Sequence, residues 1–371
     1  MSALALCLLL LVLYTYAGYP LLVAGWARLA PRQARGDASF EPSVSVCLTV
    51  HAGARYLEPK LRCLQQLDYP PQKLEFLVYV DGAGDESEAL ARRFAEHEPR
   101  LRVFSSSVRL GKPAGLNRLR AEARGEVLLM TDVRQTLAPR ALRALLEQLG
   151  DPAIGCVSGS LVLAGNTGAG AYWRYEKFIR GSEARLGSLV GVSGSLYALR
   201  REDLAELPHD VLLDDMFVPL EVVRRRKQVT LSTEAEAYDE AYDDDREFAR
   251  KVRTLAGNYQ LLQKLPWLLV PGKNPVWFQL VSHKLLRLLC PWALLGLLVA
   301  APLLAFSAEL SSAERWFWQA LFVSQLLFYG LAALGARAGR LGSLARTFTV
   351  MNAAAVVGLW RFARGTQAVT W

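Results

Sequence analysis

Three kinds of hydrophobic pattern succeed one another along the chain. Residues 4–27 are apolar and carry no charge, residues 285–306 carry only Arg287, and residues 317–336 carry none. Each run is near the ~20 residues that a helix needs to cross a bilayer. The first run lacks a basic lead-in and exceeds the ~7–15 apolar residues of a signal peptide, so it reads as a retained anchor. Residues 272–284 place Trp277, Phe278 and His283 among apolar positions just before a span, the pattern of an amphipathic helix at the membrane interface. A last apolar stretch, 347–360, contains Asn352 and precedes Arg361 and Arg364, which suits a re-entrant or interfacial helix.

Between these runs the period changes. Residues 43–50 form an apolar, β-branched segment, and residues 56–67 repeat leucine at 57, 61, 64 and 67 on one helical face. Strand-like segments follow at 74–80, 100–106 and 126–132, separated by helical patterns at 85–98 and 113–124. Strands alternating with helices predict an α/β domain with a mostly parallel sheet. Such sheets bind ligands at the carboxyl ends of their strands, where Asp81 and Asp132 both fall. Further on, residues 189–204 hold Gly191 and Gly194 inside an apolar run, and 211–229 open a helix with two acids. Residues 234–245 read as a solvated acidic run, and 246–262 as a basic helix.

The composition sharpens the membrane reading. Of 371 residues 52% are hydrophobic, and the net charge of +8 gathers partly beside the apolar runs, at Arg28, Arg32, Arg35, Arg337, Arg340 and Arg346. The positive-inside rule puts residues 30–280 in the cytoplasm and the acidic link 307–315 outside. No basic stripe with interleaved aromatics points to nucleic acid. The five cysteines have no ligand spacing and read as free buried thiols.

Several residues are candidates for chemistry, and each also admits a plain structural role. Asp81 could accept hydrogen bonds from a ligand or simply form an Asp-Gly turn. Lys112 could neutralise a phosphate at a helix start or be a loop lysine. Asp132 could bind a cation or end a strand. Asp214 and Asp215 could form a pair in which one carboxyl acts as general base, or an acidic helix N-terminus. Arg250, Lys251 and Arg253 could hold a diphosphate or form a solvated basic face.

The order of these segments resembles a membrane-bound family 2 glycosyltransferase, the group of cellulose, hyaluronan and poly-N-acetylglucosamine synthases. The likeness rests on "VSVCLTV", "LDYPPQKLEFLVYVDGAGDES", "GKPAGLN", "GEVLLMTDV" and "GCVSGSLVL". It continues through "YWRYEKFIRGSEARLGSLVGVSGSLYALRR", "LLDDMFVPL", "RKVRTLAGN" and "SHKLLRLLCPW". It implies a GT-A domain over residues 38–265, after an N-terminal transmembrane helix (1–30). An interface helix and C-terminal transmembrane helices would follow (266–371). It further implies a UDP-sugar donor, Mg²⁺ or Mn²⁺ on Asp132, and Asp215, with Asp214 beside it, as catalytic acids. Asp81, Lys112, Arg134, Gly194, Arg250 and Arg253 would bind the nucleotide sugar. The implied enzyme is an inverting hexosyltransferase of the cytoplasmic membrane. It would extend a glycan or a lipid-linked acceptor among membrane lipids, with export or assembly partners. The alternatives are a catalytically weak, sugar-nucleotide-binding relative in a membrane glycan-synthesis complex, or a single-sugar transferase acting on a lipid-linked acceptor. The chain departs from the family pattern at His51-Ala52-Gly53, where an Asn-Glu is usual, and at Arg134, in place of the second acid of D-x-D. It departs again at Arg250 and Thr254, in place of the glutamine and tryptophan of Q-x-x-R-W.

Overall fold

The computed structural model describes residues 1–32, 35–82, 84–164, 169–240 and 244–368. The chain opens in a long apolar helix, α1 (Ser2–Leu13) and α2 (Tyr19–Leu29), joined by a π-helical turn at Tyr14–Gly18. Ala5 is the buried residue of α1, so most of that helix turns apolar surface outward, as a lipid-facing helix does.

β1 (Val44–Val50), β2 (Leu74–Asp81), β3 (Leu101–Ser106) and β4 (Val127–Asp132) pair in parallel, with β1 between β2 and β4. The crossovers are α3 (Ala54–Gln65), α4 (Ser87–Ala95) and α5 (Lys112–Glu122). All seven residues of β1 are buried because helices cover both faces of the sheet. Val44, Val46, Leu48 and Val50 pack with the leucines of α3 and of α6 (Ala141–Leu149), while Cys47 faces Leu116 and Leu119 of α5.

The second half reverses direction. β5 (Thr136–Leu137), β6 (Ile154–Ala164), β7 (Leu196–Arg200) and β8 (Gln228–Glu240) extend the sheet to the order β3-β2-β1-β4-β7-β6-β8-β5. β7 runs antiparallel to both β4 and β6, so the mostly parallel sheet is mixed. The acidic run read as solvated is largely strand: Ala235 and Ala237 are buried and Glu234 is exposed, the period of two that a half-covered strand requires. Its residues 241–243 lie outside the described residues.

α7 (Ala169–Leu186), α8 (Asp214–Arg224) and α9 (Asp244–Lys264) complete the domain. The expected interface helix and the span after it form one continuous helix: α10 (Trp277–Gln279), a π-helical turn at Leu280–Leu285, and α11 (Leu286–Ala305). α12 (Ser312–Leu334) starts in a capping box between Ser311 and Glu314. α13 (Gly339–Ala363) is longer than its apolar stretch suggested and packs on α9, with Phe362 stacked on Tyr259 at 5.7 Å. Among the described residues, three segments, Ser2–Leu29, Trp277–Ala305 and Ser312–Ala363, are long and apolar enough to cross a membrane. All five cysteines are free; Cys47, Cys156 and Cys290 are buried, Cys63 is half-buried, and Cys7 is exposed on the outer face of α1, which suits a lipid-facing position.

The α9–α13 seam depends on close backbone approach. A Cβ on Gly358 would lie 3.0 Å from the Ala256 nitrogen and 3.2 Å from the Val252 oxygen, whereas one on Gly330 meets nothing within 4 Å. Gly358→Leu should therefore destabilise the detergent-purified chain by about 1–3 kcal/mol, and Gly330→Leu should not. Thermal unfolding of both variants checks this; equal midpoints would contradict the seam.

Candidate active site

The carboxyl end of the parallel half gathers the candidate residues. Asp81 ends β2 and Asp132 ends β4, with β1 between them. Asp81 is fully buried, and its two carboxylate oxygens accept the backbone N–H groups of Leu110 (2.7 Å) and Gly111 (2.8 Å). It thereby shapes the loop that delivers Lys112. Gly111 takes a φ of +90° there, a conformation suited to glycine. Gly82, after Asp81, has a φ of +54°, and a Cβ on it would lie 2.5 Å from the Arg109 nitrogen.

Lys112 then reaches two acids at once. Its Nζ lies 2.9 Å from Asp132 Oδ1 and 3.0 Å from Asp214 Oδ2. Burial alone would lower the ammonium, but the two carboxylates more than offset it and hold it protonated, above the usual lysine range. Asp214 and Asp215 open α8, where the helix dipole favours carboxylates. Asp215 is nevertheless pushed up to about 6, by burial first and by the Asp214 charge second, with Lys112 and Arg253 pulling the other way. A carboxyl with that value is mostly ionised at neutral pH and still basic enough to accept a proton.

β7 supplies the third wall. Its antiparallel pairing sets Leu196 beside Thr131, which brings the 191–195 loop to the end of β4. A Cβ on Gly194 would lie 3.7 Å from Asp132 Oδ2 and 3.9 Å from Asp215 Oδ2, so both carboxylates look onto the same small space. Hydrogen bonds fix that loop: Val192 N–H to the Asp215 carbonyl (2.9 Å), Ser193 N–H to Ser158 Oγ (2.9 Å), and Thr131 Oγ1 to the Ser195 carbonyl (2.8 Å).

The structure unites Lys112, Asp132, Gly194, Asp214 and Asp215, and brings the Arg253 charge within reach of Asp215. Arg134, Arg250 and Lys251 are engaged elsewhere, Lys251 by Glu247 at 3.3 Å. Arg134 Nε donates to Asp239 Oδ1 of β8 at 2.7 Å and its Nη2 to the Glu240 carbonyl, tying the β4–β5 turn to β8. Arg250 pairs with Glu247 one turn away, at 2.8 Å, with 58% of its side chain exposed.

Three supporting residues were missed in the sequence. Lys60, on the leucine face of α3, donates to Thr131 Oγ1 and to the Gln135 carbonyl, both at 2.7 Å, and burial lowers it to about 8. A lysine inside a leucine stripe was the available signal. Arg180 of α7 donates to Ser158 Oγ (3.0 Å) and the Gly191 carbonyl (3.4 Å), behind the glycine loop. Tyr197 of β7 is buried near Asp214, Asp215 and Asp132, and its hydroxyl has no hydrogen-bond partner among the described residues. Neither of these last two carried a pattern to read.

The donor set suits a hard divalent cation. Asp132 Oδ2 is the oxygen turned from Lys112 toward Gly194, and three carboxylates here face the charges of Lys112 and Arg253. No cluster of three or more His, Cys, Asp or Glu with ligand geometry occurs among the described residues. A cation bound through one or two carboxylates, with phosphate oxygens and water completing its shell, is the usual arrangement for Mg²⁺.

Parts of the chain are similar to known glycosyltransferases. Glycosyltransferase AglD of Haloferax volcanii is 32% identical over 120 residues, covering 32% of this chain and 19% of that protein. Beta-monoglucosyldiacylglycerol synthase of Synechocystis sp. is 26% identical over 132 residues, covering 34% of this chain and 28% of that protein. The chain thus spans less than a third of the length of these two relatives. Among solved structures, mannosyltransferase PcManGT from Pyrobaculum calidifontis, in complex with GDP-Man and Mn²⁺, superposes with a TM-score of 0.76. It is 24% identical and covers 97% of this chain and 99% of that one, a likeness of fold. Residues 45–207 match the Glycosyl transferase family 2 model, and the fold is of the GT-A type.

Proposed function

We propose that the chain is an inverting, metal-assisted transferase that moves a sugar from a nucleoside diphosphate to a membrane-borne acceptor. The observation that carries the reading is the convergence of Asp132 and Asp215 on Gly194, with Lys112 behind them. Asp215 accepts the proton of the acceptor hydroxyl as its oxygen forms the new bond to the anomeric carbon. The bond from that carbon to the diphosphate breaks on the opposite side, and the diphosphate leaves with the electron pair. Lys112 and Arg253 face the charge that develops there. A Mg²⁺ or Mn²⁺ ion held by Asp132 would add Lewis-acid stabilisation of the same charge. Asp81 acts one step back, by fixing the loop that carries Lys112.

PcManGT was solved with GDP-Man and Mn²⁺. That supports a nucleotide sugar and a divalent ion as ligands, and sets GDP-sugars beside the UDP-sugars expected from the sequence. The arginines at 28, 32 and 35 support a catalytic domain on the cytoplasmic face of the cytoplasmic membrane. The acceptor is a glycan or a lipid-linked sugar. One observation favours a second reading, a weakly active donor-binding relative: Arg134, at the second D-x-D position, is engaged by Asp239. Nucleotide release from a panel of UDP- and GDP-sugars by the purified protein separates the two. Release above a boiled control supports transfer, and donor binding without release supports the second reading.

The acid limb of the rate–pH profile should fall near pH 6, as Asp215 protonates and loses its capacity to accept a proton. Because the Asp214 charge raises Asp215, Asp214→Asn should move that limb to lower pH while turnover persists. A limb that stays in place, or complete loss of turnover, would assign the base differently. Asp132→Asn should raise the Mn²⁺ concentration for half-maximal rate by about tenfold or more. An unchanged titration would remove Asp132 from the cation site.

A further inference from the structure

Outside the acids around Gly194, one buried cation is only half engaged. Arg287, in the first turn of α11, has 12% of its side chain exposed. Its Nη1 donates to Glu176 and, at 3.3 Å, to the Tyr172 hydroxyl. Its Nε and Nη2 are buried and have no hydrogen-bond partner among the described residues. Those two N–H groups form the parallel fork with which a guanidinium binds the paired oxygens of a carboxylate or phosphate. Leaving two charged donors buried and empty is costly, so the site is poised for an oxyanion.

The surroundings narrow the class of ligand. The rings of Tyr16 and Tyr175 flank the guanidinium carbon at 5.9 and 5.6 Å. Lys251 Nζ stands 5.4 Å from the Tyr172 ring, and Lys284 acts electrostatically on Glu176. The nearby acids have partners of their own: Glu176 has Arg287 and His283, and Glu183 has His283 (2.8 Å) and Tyr19 (2.6 Å). Two π-helical turns, Tyr14–Gly18 and Leu280–Leu285, abut the cage, and such turns recur at functional sites. α11 has 20 residues from Leu286 to Ala305, about the thickness of a bilayer core, which sets Arg287 at headgroup depth.

We infer that the Nε/Nη2 edge of Arg287, between Tyr16, Tyr172 and Tyr175, binds the phosphate of a membrane-borne amphiphile entering from the bilayer. The inference rests on the membrane placement in the reading above. Two sources share the chemistry: a phospholipid diester of the bulk bilayer, and the phosphate that joins an acceptor sugar to its lipid, for which an alkyl phosphate stands in.

Native mass spectrometry of the full chain in neutral detergent tests it, with dodecyl phosphate and phosphatidylglycerol as probes and dodecanol and diacylglycerol as neutral counterparts. Wild type should retain a phosphate probe at least tenfold more tightly than Arg287→Gln, with the neutral probes unaffected. Arg287→Lys should behave like the glutamine variant, because it keeps the charge and loses the fork. Selective retention of dodecyl phosphate assigns the phosphate of a lipid-linked acceptor, and equal retention of both assigns a bulk-lipid site. Equal retention by wild type and Arg287→Gln overturns the inference. If Arg287→Gln alone unfolds because Glu176 is orphaned, Arg287→Gln with Glu176→Gln gives the same comparison. Nucleotide release by the same preparations needs no acceptor, so failure of the transferase reading is seen separately.

Discussion

One buried ammonium joins the pieces of the candidate site. Lys112 stands at the start of α5, Asp132 at the end of β4 and Asp214 at the start of α8, and the lysine pairs with both acids. Without that cation, Asp132, Asp214 and Asp215 would repel one another, and one of them would take up a proton. With it, the cluster keeps a net negative character that invites a divalent ion, while Asp215 stays poised near neutrality. The position of Lys112 depends in turn on Asp81, whose carboxylate is committed to the two backbone N–H groups just before it.

The same economy runs toward the membrane. α7 carries Arg180 against Ser158 Oγ and the Gly191 carbonyl, and on neighbouring turns Glu176 and Glu183 against His283 and Arg287 of the continuous helix that includes α11. Tyr19 of α2 also bonds Glu183. The 191–195 loop, the first apolar helix and the second are therefore attached to a single helix of the domain.

The parallel half was legible because it obeys simple periods. β1 to β4 and the helices between them lie close to where alternating β-branched runs and leucine stripes put them, and their terminal aspartates mark the ligand end of the sheet. The second half was harder. β7 is antiparallel and only five residues long, and β8 hides a period of two inside an acidic run. Lys112, Asp132, Asp214, Asp215 and Gly194 come together as a motif order suggested. Arg134 is engaged by Asp239, far away in sequence, which no local pattern reveals, whereas Arg250 pairs with Glu247 at the i, i+3 spacing of one helix face. Lys60, Arg180 and Tyr197 act through tertiary placement alone.

The central claim is that Asp215 removes the acceptor proton while the rest of the cluster holds the donor. Asp215→Asn keeps the side-chain shape and removes the base. Donor binding by calorimetry and sugar transfer by product analysis, measured on the same Asp215→Asn preparation, test this most directly. The account predicts donor affinity within a few-fold of wild type and transfer slowed by about 10²–10⁴-fold. Transfer at the wild-type rate in Asp215→Asn would contradict it.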